Sequence, residues 1–419
     1  MSSPDLEQLR EPPPFRRDRL AHAWILMRGI ADAGDAIWTV ALAWTAVQVT
    51  TPALAGLVIA AGAVPRALAL LFGGVLADRL NARKIMVLFN SVRTAVLVAV
   101  AIWCVLTAPS VFVLLLAALA FGLCDAFYEP AASTISRQMV TRADLPTYGA
   151  AMQTSSRLGG MLGSAMGGVI VAQVGLAGSA SVNAVAFALV VAFIAIWLRP
   201  RFALPRAQRE PVLRGILSGF RHLRDVPATR TLVIALASLN LAAAPAMGIG
   251  VALRATAEGW GAEAVGVFGA FAGVGATVGA AIVLKWRPRR EAFAGFWSFS
   301  TQGIAIIAIG LGPFWLVIAG GVVIGFGAGF GSVLLGATFA GTTDPSYLGR
   351  MGSIIKVGDD SLRPLTMALF GVLASATALW VPFLIYGVAI TALIAALLSN
   401  KQLRTLSLRD ADGSARDTS

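Results

Sequence analysis

Four groups of charged side chains stand inside stretches that are otherwise apolar. Arg28, Asp32 and Asp35 are spaced i, i+4, i+7, and Asp125 and Glu129 are one helical turn apart. Arg157 follows Gln153 by one turn, and Lys356, Asp359, Asp360 and Arg363 repeat that spacing. Residues three or four apart share a helix face, so each group presents its charges together. Charges within a membrane span are costly and face a water-filled path or one another. The chemistry open to them is ion pairing, proton exchange and recognition of charged solutes. Arg28 with Asp32 fits an intrahelical pair as well as a solute contact. Asp35, Asp125, Glu129, Asp359 and Asp360 are harder to neutralise completely, and carboxyls in low dielectric can exchange protons near neutral pH. These five, with Asp32, are the proton-coupling candidates. Asp35 comes first because it lies near the middle of its helix. Arg66 and Arg93 read as snorkelling or locally paired side chains.

Aromatic and sulfur side chains at similar depth include Trp38, Trp44, Phe127, Tyr128 and Met247. At helical spacing such residues mostly pack. Trp38, one turn beyond Asp35, is the best exception, because an apolar wall beside a carboxylate suits an amphipathic or cationic solute. The substrate-cavity candidates are Arg28, Trp38, Tyr128, Gln153, Arg157, Asn240, Met247, Lys356 and Arg363. Enzyme chemistry has little to work with. The histidines are His22 and His222, and no nucleophile elbow, metal-ligand set or phosphate-binding loop is present. Cys104 and Cys124 sit in apolar spans and read as small core residues. No catalytic residue, metal or cofactor is expected.

The elements that must position these groups are membrane helices. The chain has 419 residues, 57% hydrophobic and 13% charged, far less charge than a soluble domain carries. Stretches of about 20 apolar residues read as membrane helices. Six fall at 21–49, 53–77, 84–107, 111–136, 147–173 and 178–198; six more fall at 229–254, 262–284, 292–310, 313–341, 347–375 and 379–399. The organisation expected is a tail over 1–20, a six-helix bundle over 21–198, a linker over 199–228, a second bundle over 229–399 and a tail over 400–419. The first tail, Met1–Leu20, is Pro-, Glu- and Arg-rich, lacks a signal-peptide core, and is expected to be disordered. Within the linker, Arg214–Asp225 puts Ile216, Leu217, Phe220 and Leu223 on one face, as a helix lying on the membrane surface does.

The formal net charge of +12 would suggest nucleic acid in a soluble protein. Here the positive charge lies in the turns on one side: Arg79, Arg83, Lys84, Arg137, Arg142, Lys285, Arg287, Arg289, Arg290 and Arg350, with the Arg-rich linker and both tails. The opposite turns hold Arg254 alone. A lipid bilayer is therefore the expected partner rather than nucleic acid, with both termini cytosolic. Arginine- and alanine-rich usage is that of a GC-rich bacterial genome, so the expected location is a bacterial inner membrane. Offset by 206 residues, Gly73 aligns with Gly279, Arg79 with Lys285 and Arg83-Lys84 with Arg289-Arg290, which supports two related halves. Asp78 aligns with Leu284, so the acid is kept in one half only.

The turn after the second span reads Gly73-Gly74-Val75-Leu76-Ala77-Asp78-Arg79-Leu80-Asn81-Ala82-Arg83-Lys84. It resembles the loop 2–3 signature of the major facilitator superfamily, with Asn81 in place of a second glycine. The segments Ala33–Ile37 and Ala41–Trp44, Leu217–Arg221 and Asp344–Arg350 resemble the branch of that family containing enterobactin exporters and macrolide efflux proteins. Gly159–Gly168, with Gly163, Gly167 and Gly168, is similar to the antiporter motif of the fifth helix, with Ser164 where that motif has proline. The resemblance spans about His22 to Ser399. It implies an all-α membrane protein of twelve transmembrane helices in two pseudo-symmetric six-helix bundles, working by alternating access. It also implies a gating latch. Asp78 would meet the start of the eleventh helix, whose N-terminus is partially positive, with Arg350 as a second partner. Gly74, Arg79, Arg83 and Lys84 belong to the same loop.

The expected function is a monomeric, proton-coupled exporter of a drug-like or siderophore-like small molecule, with the proton gradient as energy source. An importer or lipid-type transporter of the same fold, or a non-transporting membrane sensor, are the alternatives.

Overall fold

The computed structural model describes residues 13–66, 81–141, 143–202, 221, 223–343 and 347–399. Among them the regular structure is helical. We label α1 Arg19–Val49, α2 Pro52–Arg66, α3 Ala82–Leu106 and α4 Val111–Met139. The continuous run Leu145–Ile196 is broken at Gly175, giving α5 over 145–174 and α6 over 176–196. Then follow α7 Thr229–Ala257, α8 Ala262–Lys285, α9 Glu291–Leu311, α10 Phe314–Thr342, α11 Leu348–Ala376 and α12 Trp380–Ser399.

Eight described helices are long and apolar enough to cross a membrane, the α5–α6 run counting as one. The helices α1 and α11 have the length, 31 and 29 residues, and hold the Arg28–Asp35 and Lys356–Arg363 groups. In a bilayer every backbone polar group must be satisfied within the segment, which leaves helices as the solution for such apolar runs. Their starts follow from short polar side chains. Thr51 precedes Pro52 and accepts from the Leu54 amide, while Asn81 and Ser110 accept from the amides of Arg83 and Val113. Gly175 has φ 63, a conformation costly for residues with a Cβ, and there the chain reverses between α5 and α6. In α7, Pro245 is followed by a π-helical turn over Ala246–Gly250, because proline supplies no amide to the helical ladder.

In the first half α1 packs on α5 and α6, α3 on the α5–α6 run and α4, and α2 on α4. In the second, α8 and α9 pack on α10, α9 on α12, and α7 on α11. The halves meet chiefly along two seams. On one, α5 lies against α8: Gly168 sits on Gly266 and Ala262, Ser164 on Gly266 and Gly269, and Met161 on Gly273. A Cβ on Gly168 would stand 2.8 Å from the Gly266 Cα, so glycine is what lets these backbones meet. On the other seam α2 lies against α11, with the Ala53 amide donating to Ser375 Oγ at 2.9 Å and Gly56 seated on Met367 and Gly371. Both seams lie toward the turns near Thr51, Gly175 and Thr377, away from the chain ends.

The expected disorder of Met1–Leu20 is corrected for residues 13–20. Phe15 is buried, stacks on His22 at 4.8 Å and meets Tyr148 edge-on at 6.0 Å. Asp18 caps α1 by accepting from the Leu20 and Ala21 amides, and its carboxylate is held by Arg201, just past α6. A buried aromatic and a satisfied acid order a segment that composition alone reads as a tail. Residues 214–220 and 222 of the expected surface helix lie outside the described residues. Leu223 is buried with Val233 and Met351.

Burial alone would raise the Asp18 carboxyl, but the Arg201 hydrogen bond and charge and the two amides hold it below the ordinary carboxylate range. Its stabilisation is therefore present above the unfolded value of about 3.9 and disappears as pH falls through the folded value. Asp18→Asn should lower stability by roughly 2 kcal/mol at pH 7. Melting of both proteins from pH 3 to 7 should show the gap closing below about pH 4.

Candidate functional site

The charged groups of the first half form one network among α1, α3, α4 and α5. Arg28 Nε donates to Asp32 at 3.2 Å, and its Nη2 donates to Glu129 of α4 at 2.8 Å. Asp32 also accepts from Ser156 Oγ of α5. One turn further along α1, Asp35 lies 3.4 Å from Arg93 of α3, and Arg93 also pairs with Asp125 of α4. The rings of Phe121, Tyr128 and Phe187 lie 5.2, 5.7 and 4.9 Å from the Arg93 guanidinium. Tyr128 lies 5.6 Å from that of Arg28 as well. Aromatic faces favour a desolvated cation and hold these arginines in place. Arg66 and Lys356 lie close enough to Glu129 to act on it electrostatically.

The two sides of this network differ in exposure. The Arg93 side chain is 3% exposed, whereas Asp35 is 38% and Asp125 26% exposed. The acids keep accessible surface and the cation almost none. Arg93 is thus the enclosed centre of the cluster, with the two carboxylates at its edge.

Of the two sequence readings of Arg93, snorkelling and local pairing, the structure has pairing, with acids of two other helices that the sequence did not single out as its partners. The signal was in its register: Met86, Asn90, Arg93, Leu97 and Val100 form the buried face of α3, while Leu88, Val92, Val98 and Ile102 are exposed. An arginine in line with buried apolar residues and an asparagine points inward. Ser156, next to Arg157, was also passed over.

The other candidates divide by location. Trp38 is buried and stacks on Phe121 at 5.2 Å, so its indole packs in the core instead of walling a cavity. Tyr128 is buried between the two arginines. Met247 packs half-buried against the core. Gln153, Lys356 and Arg363 are exposed, and Asp359 is half-buried. Gly163 lies against Ala33 and Gly167 against Ile37 of α1, while Gly168 forms the α8 seam. Arg83 donates to the carbonyls of Ile194, at 2.9 Å, and Ala195, at the end of α6, where a cation complements the helix dipole; Lys84 is exposed. Gly74, Asp78 and Arg79, and the side chains of Asn240, Arg350 and Asp360, lie outside the described residues. Cys104 and Cys124 are free thiols.

Arg157 stands on the stripe of α5 that carries Met161, Ser164 and Gly168, one turn past the α8 seam. There backbone contact gives way to a single side-chain bond, from Arg157 Nη1 to the Ala276 carbonyl at 3.5 Å. Beyond this point a cavity of about 380 Å³ opens between Arg157 and the second half, walled by Leu236, Phe299, Ala328 and Ile355 among others. The cavity thus has one charged side chain, Arg157, on the first half and a largely apolar wall on the second. The halves close it toward the turns near Thr51 and Thr377.

Comparison with known proteins agrees with this architecture. The model of the Major Facilitator Superfamily matches residues 25–354. The enterobactin exporter EntS of Escherichia coli O139:H28 (strain E24377A / ETEC) is 28% identical over 358 residues, which cover 80% of this chain and 81% of that relative. Among solved structures, a POT family transporter in complex with 5-aminolevulinic acid superposes with TM-score 0.72 at 13% identity, covering 94% of this chain and 98% of the other. A bacterial homologue of the human lysosomal transporter Spinster, inward-facing and unoccupied, superposes with TM-score 0.63 at 17% identity over 95% and 98%. At such identities these likenesses concern the fold.

Proposed function

Because this chain belongs to the Major Facilitator Superfamily, and is thus a multi-pass membrane transporter of a small molecule, we propose that it is a proton-coupled exporter of a siderophore-like or drug-like compound. The observation that carries the coupling is the sharing of Arg93 by Asp35 and Asp125. Two ionised carboxylates on one buried guanidinium leave a net negative charge in a low-dielectric site, which a single proton removes. The site thus has two nearby charge states, and its acids keep accessible surface.

The count of basic residues favours cytosolic termini in a bacterial inner membrane, so the side on which the halves part is the cytosolic one. In this arrangement the cavity takes its solute from the cytosol while a proton leaves the Asp35–Asp125 pair. Reopening on the other side releases the solute and reloads the pair. The similarity to an enterobactin exporter supports export over uptake. The protein acts as a monomer, drawing on the proton gradient without a cofactor.

The test is flux in proteoliposomes, with enterobactin and ethidium as probes and an imposed pH step. Wild type should move at least one of them uphill, several-fold faster with the gradient than without. In Asp35→Asn the gradient dependence should vanish, leaving slow downhill flux. Gradient-independent flux in wild type would overturn the coupling, and full gradient dependence in Asp35→Asn would overturn the role of Asp35.

A further inference from the structure

We infer that the cavity at Arg157 is a binding subsite for the anionic end of an amphipathic solute whose apolar body lies against the second half. The inference rests on the transport reading and adds the sign of the cargo's charge. Of the side chains lining the cavity, Arg157 is the charged one; Leu236, Phe299 and Ile355 are apolar, and Ser332 turns its hydroxyl to the Gly329 carbonyl at 3.2 Å.

Arg157 differs from the other arginines of the network. Arg28 and Arg93 are held by carboxylates at ion-pair distance. Among the described residues Arg157 has no such partner, and its one hydrogen bond is the 3.5 Å contact with the Ala276 carbonyl. A guanidinium has five N–H donors in a fork that matches a carboxylate or sulfonate, so most of this group's capacity faces the cavity. The seam explains its placement. Residues 157, 161, 164 and 168 share one stripe of α5, and the first of them stands where the halves have begun to separate. The acids of the first half are already engaged by Arg28 and Arg93. A cationic amphipath would have to enter against Arg157, whereas an anion gains a charge-assisted fork and an apolar wall together.

The test uses the full chain in nanodiscs and two probes with one ring system, 8-anilino-1-naphthalenesulfonate and its uncharged counterpart N-phenyl-1-naphthylamine, followed by titration calorimetry. The sulfonate should bind wild type more tightly than the neutral probe. Arg157→Gln should weaken the sulfonate about tenfold or more while changing the neutral probe less than twofold, and Arg157→Lys should restore most of the difference. Ala328→Trp, which fills the apolar volume, should weaken both and serves if Arg157→Gln fails to fold. Equal loss of both probes in Arg157→Gln, unchanged sulfonate binding, indifference of both to Ala328→Trp, or no binding to wild type would each overturn the subsite. Because binding needs no gradient, the result separates from the proposed function. Charge preference that depends on Arg157 without gradient-driven flux keeps the subsite and refutes the exporter; the converse keeps the exporter and refutes the subsite.

Discussion

Arg93→Met should abolish gradient-driven transport, lowering flux by at least about a hundredfold, the equivalent of roughly 2.7 kcal/mol in a barrier. It should also destabilise the fold. Removing one member of a buried ion pair leaves the other uncompensated, at a cost of about 3–5 kcal/mol. Here two carboxylates, Asp35 and Asp125, lose the same partner, and three aromatic rings lose the cation they surround. Without the cation both acids are favoured in the protonated form, so the site loses its second charge state. Arg93→Lys should be intermediate, because an ammonium keeps the charge but does not offer a planar fork to two acids. Adding Asp35→Asn and Asp125→Asn to Arg93→Met should recover melting temperature without recovering flux. Detergent-solubilised melting and proteoliposome flux give both readouts. Wild-type values for Arg93→Met in both would remove Arg93 from the mechanism.

The second large effect concerns the seam between the halves. Gly168→Leu would force a side chain into a backbone contact where even a Cβ comes within 2.8 Å of the Gly266 Cα and 2.9 Å of the Ala262 carbonyl oxygen. No flexible side-chain end lies opposite that could yield. Overpacking of this kind costs about 1–3 kcal/mol, and the chain escapes it by parting α5 from α8. The arrangement closed toward Thr51 and Thr377 is thereby disfavoured, and the population shifts toward the one open there. In a background lacking Cys104 and Cys124, the single replacement Met367→Cys reports this change. Met367 is buried at the α2–α11 seam, where Gly56 of α2 sits on it, so an impermeant maleimide reaches it only when that side opens. Labelling should rise about tenfold in Gly168→Leu, while flux falls by a similar factor because the cycle stalls. Unchanged labelling would mean that the α5–α8 seam does not govern closure.

Much of this protein is legible from its residues alone. Apolar runs can satisfy their backbone in lipid only as helices, so the chain's composition determines that it is a helical membrane protein. Short polar residues mark several starts: Thr51, Asn81 and Ser110 cap helices as their types require. Charges at one-turn spacing identify α1, α4, α5 and α11 as polar, because a helix places residues four apart on one face regardless of its neighbours. The glycines of α5 announce close packing, though not which partner each would meet.

Tertiary structure alone decided the partners. Arg93 and Asp125 are 32 residues apart in sequence, and Arg28 and Glu129 are 101 apart. No local periodicity encodes which inward-facing arginine meets which acid, since that depends on the rotation of each helix about its own axis. The same rotation buries Trp38 against Phe121, although its position beside Asp35 suggested a cavity wall. Asp18 looked like part of a polar tail until the fold brought Arg201 to it across 183 residues. Arg157 is the clearest case. Its spacing from Gln153 marks a polar face, but only the divergence of α5 from α8 leaves its guanidinium without an acid among the described residues and at the edge of an apolar cavity. Local sequence sets where a charge sits along a helix; the packing of helices sets whether that charge is already neutralised or still available to a solute.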